Sequence, residues 1–324
     1  MAKIDNKGGI RGTAGSVVYR MYRGKNIVQG KPRKIKQTKE TVRASTEFGL
    51  SSSAAAVIRR AFQPAYIHWD GEAVTRTTGQ VYLSLRNSLT GSVGQRDLHD
   101  ANVQDIVGMD FNGSSPLSEV LQISRSVRRD AEGNLEVTLG RFNPREDVKK
   151  ASGYPKRASR YRIRLMAVAF DFRQEYLEYL DIKDLDVHGS EIMEAQTICL
   201  KAQADPSCMV MLSMSLQMYD QVGHTGEYVL LNNKGFSPCA IIAAYQSPEP
   251  APNTADPIRL SKEAYPDRYM KMQEMGYDGN RLLKKLDKRM LKGAKPEKTS
   301  TSAVLSDQKT LIGRRVKFNK NTYS

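Results

Sequence analysis

The chain has 324 residues, 40% of them hydrophobic and 26% charged, which is apolar content for a sizeable core and length for two domains. Its 50 Lys and Arg outnumber 35 Asp and Glu, and the resulting +15 sits at the ends: residues 1–60 carry +11, residues 281–324 carry +10, and the 220 between them carry −6. No apolar run reaches the roughly 18 residues of a membrane span, the first 15 residues lack the apolar stretch of a secretion signal, and Cys199, Cys208 and Cys239 form neither a zinc spacing nor an even disulfide set.

A cytoplasmic or virion location with reduced cysteines is therefore expected, with no membrane partner. The two basic ends attract polyanions or acidic protein surfaces at long range, or serve solubility alone.

At the N-terminus, Gly9, Gly12 and Gly15 recur every third residue ahead of "SVVYRMYRGKNIVQG". A phosphate-cradling loop needs G-x-x-x-x-G-K-[ST], or G-x-G-x-x-G, between a strand and a helix. Here the spacing is different, no strand is expected before it, and a strand follows. The glycines are read instead as sharp turns and close backbone approaches. "SVVYRMY" and "NIVQG" read as a β-hairpin joined by a three- or four-residue turn at Gly24 and ended by Pro32. Val17, Tyr19 and Met21 share one face, Val18, Arg20 and Tyr22 the other, so both faces call for packing partners.

Residues 38–62 read as a helix capped by Thr38 or Thr41 and ended by Pro64. Its apolar stripe is Leu50, Ala54, Val57, Ile58, Ala61 and Phe62. A second helix over 72–90, with Val74, Thr78, Val81, Tyr82, Leu85 and Leu89 in period, would pair with it antiparallel. Loop follows over 93–116, with a short helix at 97–104 at most.

From 117 the period changes to two. Eight strand segments are expected, "EVLQISRSV", "NLEVTLGRF", "RYRIRLMAVAFDF", "EYLEYLDI", "EAQTICLKA", "CMVMLSMSLQMY", "EYVLLNN" and "PCAIIAAYQ". Short strands at this spacing point to an antiparallel sandwich. "SPEPAPNTADP" then reads as a stiff linker, short helices are expected at 261–275 and 280–291, and the Lys-, Ser- and Thr-rich tail is expected to be disordered alone.

The fold class is thus α+β: an antiparallel β-sandwich of about eight strands with an N-terminal β-hairpin, a helical pair and an extended basic C-terminal arm. The expected divisions are 1–36 (glycine-led basic hairpin), 37–116 (helical pair and loop), 117–247 (sandwich), 248–260 (Pro-rich linker) and 261–324 (short helices and basic arm).

Chemistry is sparse. His68, His99, His188 and His224 form no H-E-x-x-H, and no C-x-x-C or G-x-S-x-G frame occurs. His68 beside Trp69 is placed at the corner of the helix pair, and His99 and His224 among loops. The carboxylates of "DFRQEYLEYLDIKDLD" could serve acid–base chemistry or hold a cation; they are read instead as a solvated strand face and loop. No catalytic residue, metal site or cofactor is expected.

Basic segments with interleaved aromatics are the positive signal. Arg20, Arg23, Lys25, Lys31, Arg33, Lys34 and Lys36 accompany Tyr19 and Tyr22, and Arg314, Arg315, Lys317 and Lys320 surround Phe318 in the tail. Such segments suit phosphates and stacked bases, or an acidic protein groove, and match no sequence-reading motif.

The stretch over about 8–65, through Gly12, Gly15, Tyr19, Arg23, Gly24, Lys25, Pro32 and Phe48, resembles a family of uncharacterised proteins of Bacteroidetes and their phages. These share a glycine repeat, a hydrophobic hairpin with a basic turn, and a following helix. Where members lie near phage or particle genes, the resemblance implies a structural role. The expectation is a non-enzymatic assembly protein of a phage-like or other large particle. Its basic arms would meet neighbouring subunits, other particle proteins or packaged nucleic acid, and the chain would self-associate. The alternative is a sequence-nonspecific nucleic-acid-binding protein.

Overall fold

The structure, a computed structural model, describes residues 2–6, 8–31, 37–88, 90–150, 153–155, 158–223, 225–252 and 257–293, without the side chains of 291–293. The N-terminal element is larger than a hairpin. Four strands, β1 (Lys3–Ile4), β2 (Ile10–Ala14), β3 (Val17–Tyr22) and β4 (Lys25–Gly30), form an antiparallel meander in chain order. The segment read as glycine turns is itself β2, with Gly12 at φ +114° inside it.

Helix α1 (Lys39–Tyr66) starts where Thr38 accepts a hydrogen bond from the Thr41 N–H at 3.2 Å. All six residues of its expected stripe are buried. It does not stop at Pro64; the proline sits in the last turn, where only the one bond to the Arg60 carbonyl is forgone, and its own carbonyl accepts from Arg164 at 3.0 Å. Helix α2 (Ala73–Arg86) is shorter than expected and rotated. Val74 is exposed, while Thr77, Thr78, Val81, Ser84 and Leu85 face inward. Of the three inward polar residues, Thr77 bonds the Ala73 carbonyl and Ser84 that of Asn102, while the Thr78 hydroxyl has no partner among the described residues. Between the helices, His68 accepts from Asn112 through its carbonyl and Trp69 stands half exposed.

After a 3₁₀ turn at Val103–Ile106 and a one-turn helix α3 (Leu117–Val120), all eight expected segments are strands: β5 (Arg125–Arg129), β6 (Leu135–Leu139), β7 (Arg160–Asp171), β8 (Tyr176–His188), β9 (Gln196–Leu200), β10 (Met209–Gln221), β11 (Tyr228–Leu230) and β12 (Cys239–Tyr245). A further turn of helix, α4 (Pro144–Asp147), lies between β6 and β7. β5, β6 and β9 make a three-stranded sheet. The others, with β13 (Met272–Glu274), make a six-stranded antiparallel sheet ordered β11-β10-β7-β8-β13, with β12 also on β10. This sheet curls into a half-barrel. Register shifts at Ala167/Val168 and Leu212/Ser213 mark where its strands bend.

The larger sheet is covered twice. Met166, Val168, Phe170, Met209 and Met211 face α1 and α2, in a core with Phe62 and Phe111. Ile163, Leu165, Ala167, Val210, Leu212 and Met214 face the small sheet, in a second core with Val137 and Leu139. The period-two alternation read in β7 and β10 is therefore the partition between two cores.

The described parts of the segments expected as linker and short helices, 248–252 and 257–293, contact the body. Ala251 accepts from Arg173 at 2.7 Å, and Ile258 N–H donates to Gln174 at 3.0 Å. In place of a helix over 261–275 there are turns and β13, held by Arg268, which pairs with buried Glu178 and with Asp205. Helix α5 (Gly279–Gly293) packs on α1. Residues 294–324 lie outside the described residues.

One ion pair ties these pieces together. Arg173, in the β7–β8 turn, binds Asp97 through Nε (2.8 Å) and Nη2 (3.1 Å), and Asp100 at 3.2 Å. Asp97 is 2% exposed. Removing the arginine would strand a buried carboxylate. Arg173→Ala should lower unfolding free energy by about 3–5 kcal/mol in urea titrations; a loss below about 1 kcal/mol would show the node to be dispensable.

Candidate partner and nucleic-acid interface

The meander sorts its side chains by register. β3 and β4 pair Val18 with Gln29, Arg20 with Ile27 and Tyr22 with Lys25 on one face, and Tyr19 with Val28 and Met21 with Asn26 on the other. The first face carries Arg20, Lys25 and Tyr22 together with Val18 and Ile27; the second is apolar with Asn26. The turn between them has two residues, Arg23 at φ +49° and Gly24 at φ +76°, the two left-handed positions of a type I′ turn. Asparagine would sit at the first with less strain than arginine. Arg23 instead places its guanidinium 5.3 Å from the centroid of the Tyr22 ring.

Arg20, Arg23, Lys25 and Lys31 are all exposed, as expected of contact residues. The fold brings Arg20 and Lys25 onto one face and sets Arg23 at the tip. Lys31 lies just beyond β4, where its N–H donates to Ser16. Arg33, Lys34, Lys36, Arg314, Arg315, Lys317 and Lys320 lie outside the described residues.

Among the described residues, no extensive packing of another element on either meander face is found. The extensive contacts of β1–β4 among the described residues are with one another. Ile4, Tyr22 and Val28 are 73%, 53% and 59% exposed. The nearest ion pair, Arg11–Asp5 at 3.8 Å, is itself exposed.

Elsewhere many charged side chains are paired. Asp184 and Asp186 lie on an exposed strand face, as read, and there meet Arg160, Arg162 and Arg164 across β7 and β8, with Arg164–Asp184 bonds of 2.7 Å. Although burial works upward, the hydrogen bonds from Arg162 and Arg160 hold Asp186 down at about 2. Asp171 and Glu178 are buried, which the sequence pattern did not show. Among the described residues, no group of three or more His, Cys, Asp and Glu is placed to hold a metal ion. Cys208 and Cys239 are buried and Cys199 exposed, all as free thiols.

His99 lies in a loop, as read, and is buried between Ser247 and Asp171. Its Nδ1 lies 2.9 Å from Ser247 Oγ, and its Nε2 accepts the Phe172 N–H at 3.0 Å. The Nε2 lone pair is thereby occupied, so Nδ1 carries the proton and donates to Ser247. His99 is thus no base toward that hydroxyl in this arrangement. No local signal marks this histidine; its partners come from 73 and 148 residues away.

No family model, curated protein or solved structure matches this chain.

Burial pushes His99 down to about 4, opposed by the Asp171 carboxylate and reinforced by Arg173. Unfolded, the imidazole protonates near 6.5. The unfolded state therefore binds the extra proton between those values, and stability present above about pH 6.5 is lost as pH falls to about 4, by up to about 3 kcal/mol. Asp110, raised to about 6 by burial, acts in the opposite direction over its own range. The difference between wild type and His99→Asn isolates the histidine: denaturation from pH 7 to 4 should show a flatter profile in the variant, and an identical slope would discount the effect.

Proposed function

We propose that this chain is a non-enzymatic assembly protein of a phage-like or other large particle, in keeping with the resemblance of its first 65 or so residues to Bacteroidetes and phage proteins. In this reading the six- and three-stranded sheets stack as the sandwich of the body, nine strands with β13 added to the eight expected. The N-terminal meander and the basic C-terminal arm reach neighbouring subunits, other particle proteins or packaged nucleic acid.

The observation that carries the reading is the meander. A sheet of four short strands with no extensive layer on either face among the described residues lacks a core of its own. It nevertheless exposes apolar side chains on one face and cations on the other. A surface of that kind is stabilised by being covered. The alternative, nonspecific nucleic-acid binding, draws on the Tyr22–Arg23 contact and on Arg20 and Lys25 beside it, a stacking ring among phosphate-seeking cations.

Light scattering of nuclease-treated protein at high and low salt, with negative-stain images, tests the reading. Ordered multimers are expected, and deleting residues 1–31, or separately 294–324, should reduce them to smaller species. A monomer at every salt concentration would overturn the assembly role.

A further inference from the structure

Helix α5 turns its leucines inward and its cations outward. Leu286 is buried, and Leu282 and Leu283 pack against the first core. Asn280 anchors the start of the helix to the β7–β8 turn, its Nδ2 donating to the carbonyls of Phe172 (3.2 Å) and Arg173 (3.0 Å) and to Glu175 Oε1 (2.9 Å). The outer face is therefore held rigidly on the body.

That face carries Arg281, Lys284, Lys285 and Lys288 at i, i+3, i+4 and i+7, a row about 10 Å long on one side of the helix. With Glu175 and Asn280 they line a cleft of about 400 Å³. Four cations thus face one carboxylate, which is already engaged by Asn280. Arg281 pairs with Asp278 at 3.0 Å, whereas no ion pair holds Lys285 or Lys288 among the described residues.

We propose that this cleft and the outer face of α5 bind the phosphate backbone of nucleic acid without reading its sequence. Duplex DNA carries a charge for about every 1.7 Å of axis, so a row of this length spans several phosphates. Lysine is a point charge suited to phosphate and carries no base readout here. An acidic protein partner fits less well, because protein interfaces deplete lysine at their centre and need apolar anchors, and no apolar side chain lines this cleft. A lipid surface would need the leucine face, which the core occupies. The site is separate from the meander and does not depend on the particle reading.

The test is fluorescence anisotropy of labelled DNA of about 20 nucleotides, single-stranded and duplex, titrated with the full chain at about 50 and 200 mM salt. Lys285→Ala/Lys288→Ala should weaken binding about tenfold at the lower salt and reduce the log–log salt slope by about two. Circular dichroism should show an unchanged melt, and Lys234→Ala, an exposed lysine outside α5, should leave affinity unaltered. Unchanged affinity and slope in the double variant would overturn the proposal, as would absence of binding at about 50 mM salt. Loss confined to an Arg20→Ala/Lys25→Ala variant would move the contact to the meander. Displacement of DNA by polyglutamate at equal charge concentration would assign the cleft to acidic protein instead.

Discussion

Strands β7 and β10 are apolar on both faces over most of their length, and the architecture follows from covering both. One face takes the helices, the other the three-stranded sheet, and neither cover alone would keep water from the methionines and leucines between them. The strand ends that escape this double cover are where charge appears. Arg160, Arg162 and Arg164 emerge from β7 as the helical layer ends, and β8 answers with Asp184 and Asp186 in direct register.

Closing the layers requires segments distant in the chain to be tied at the rims. The β7–β8 turn is the main tie. Through Asp171, Arg173 and Glu175 it gathers the loop after α2, the Pro-rich segment at Ala251 and the first turn of α5. Glu175 holds φ +61° there, a left-handed conformation fixed by the Met275 N–H on its carbonyl and Asn280 on its side chain. At the opposite end of β13, Arg268 fills the same role for Glu178 and Asp205. These ties turn a proline-rich stretch, which in isolation would be a spacer, into a strap across the body.

The meander follows a different logic. Its turns and register are local: Gly15 and Arg23–Gly24 set two-residue connections, and alternation then keeps Arg20 and Lys25 to one face. Among the described residues no element packs extensively on either of its faces, so this separation is set by the strands themselves. Together with the cationic face of α5, it gives the molecule charged surfaces on locally ordered elements at both ends of the chain.

Much was legible in the sequence because it is written at short range. The stripe of α1, its Thr38 cap, the eight strands and the two-sided alternation of β7 and β10 follow from period and propensity, which depend on near neighbours. The row of cations on α5 was equally readable, at i, i+3, i+4 and i+7. What only the tertiary structure decided depends on partners far apart in sequence. The rotation of α2, which turns Ser84 to the Asn102 carbonyl 18 residues on, is one case. The continuation of α1 through Pro64 is another, where Arg164 occupies the proline carbonyl from 100 residues away. The burial of His99, Asp97 and Glu178 is the third. A charged or polar side chain shows no sign in one dimension of whether an opposite charge awaits it in three, and that pairing alone determines whether it lies in solvent or in the core.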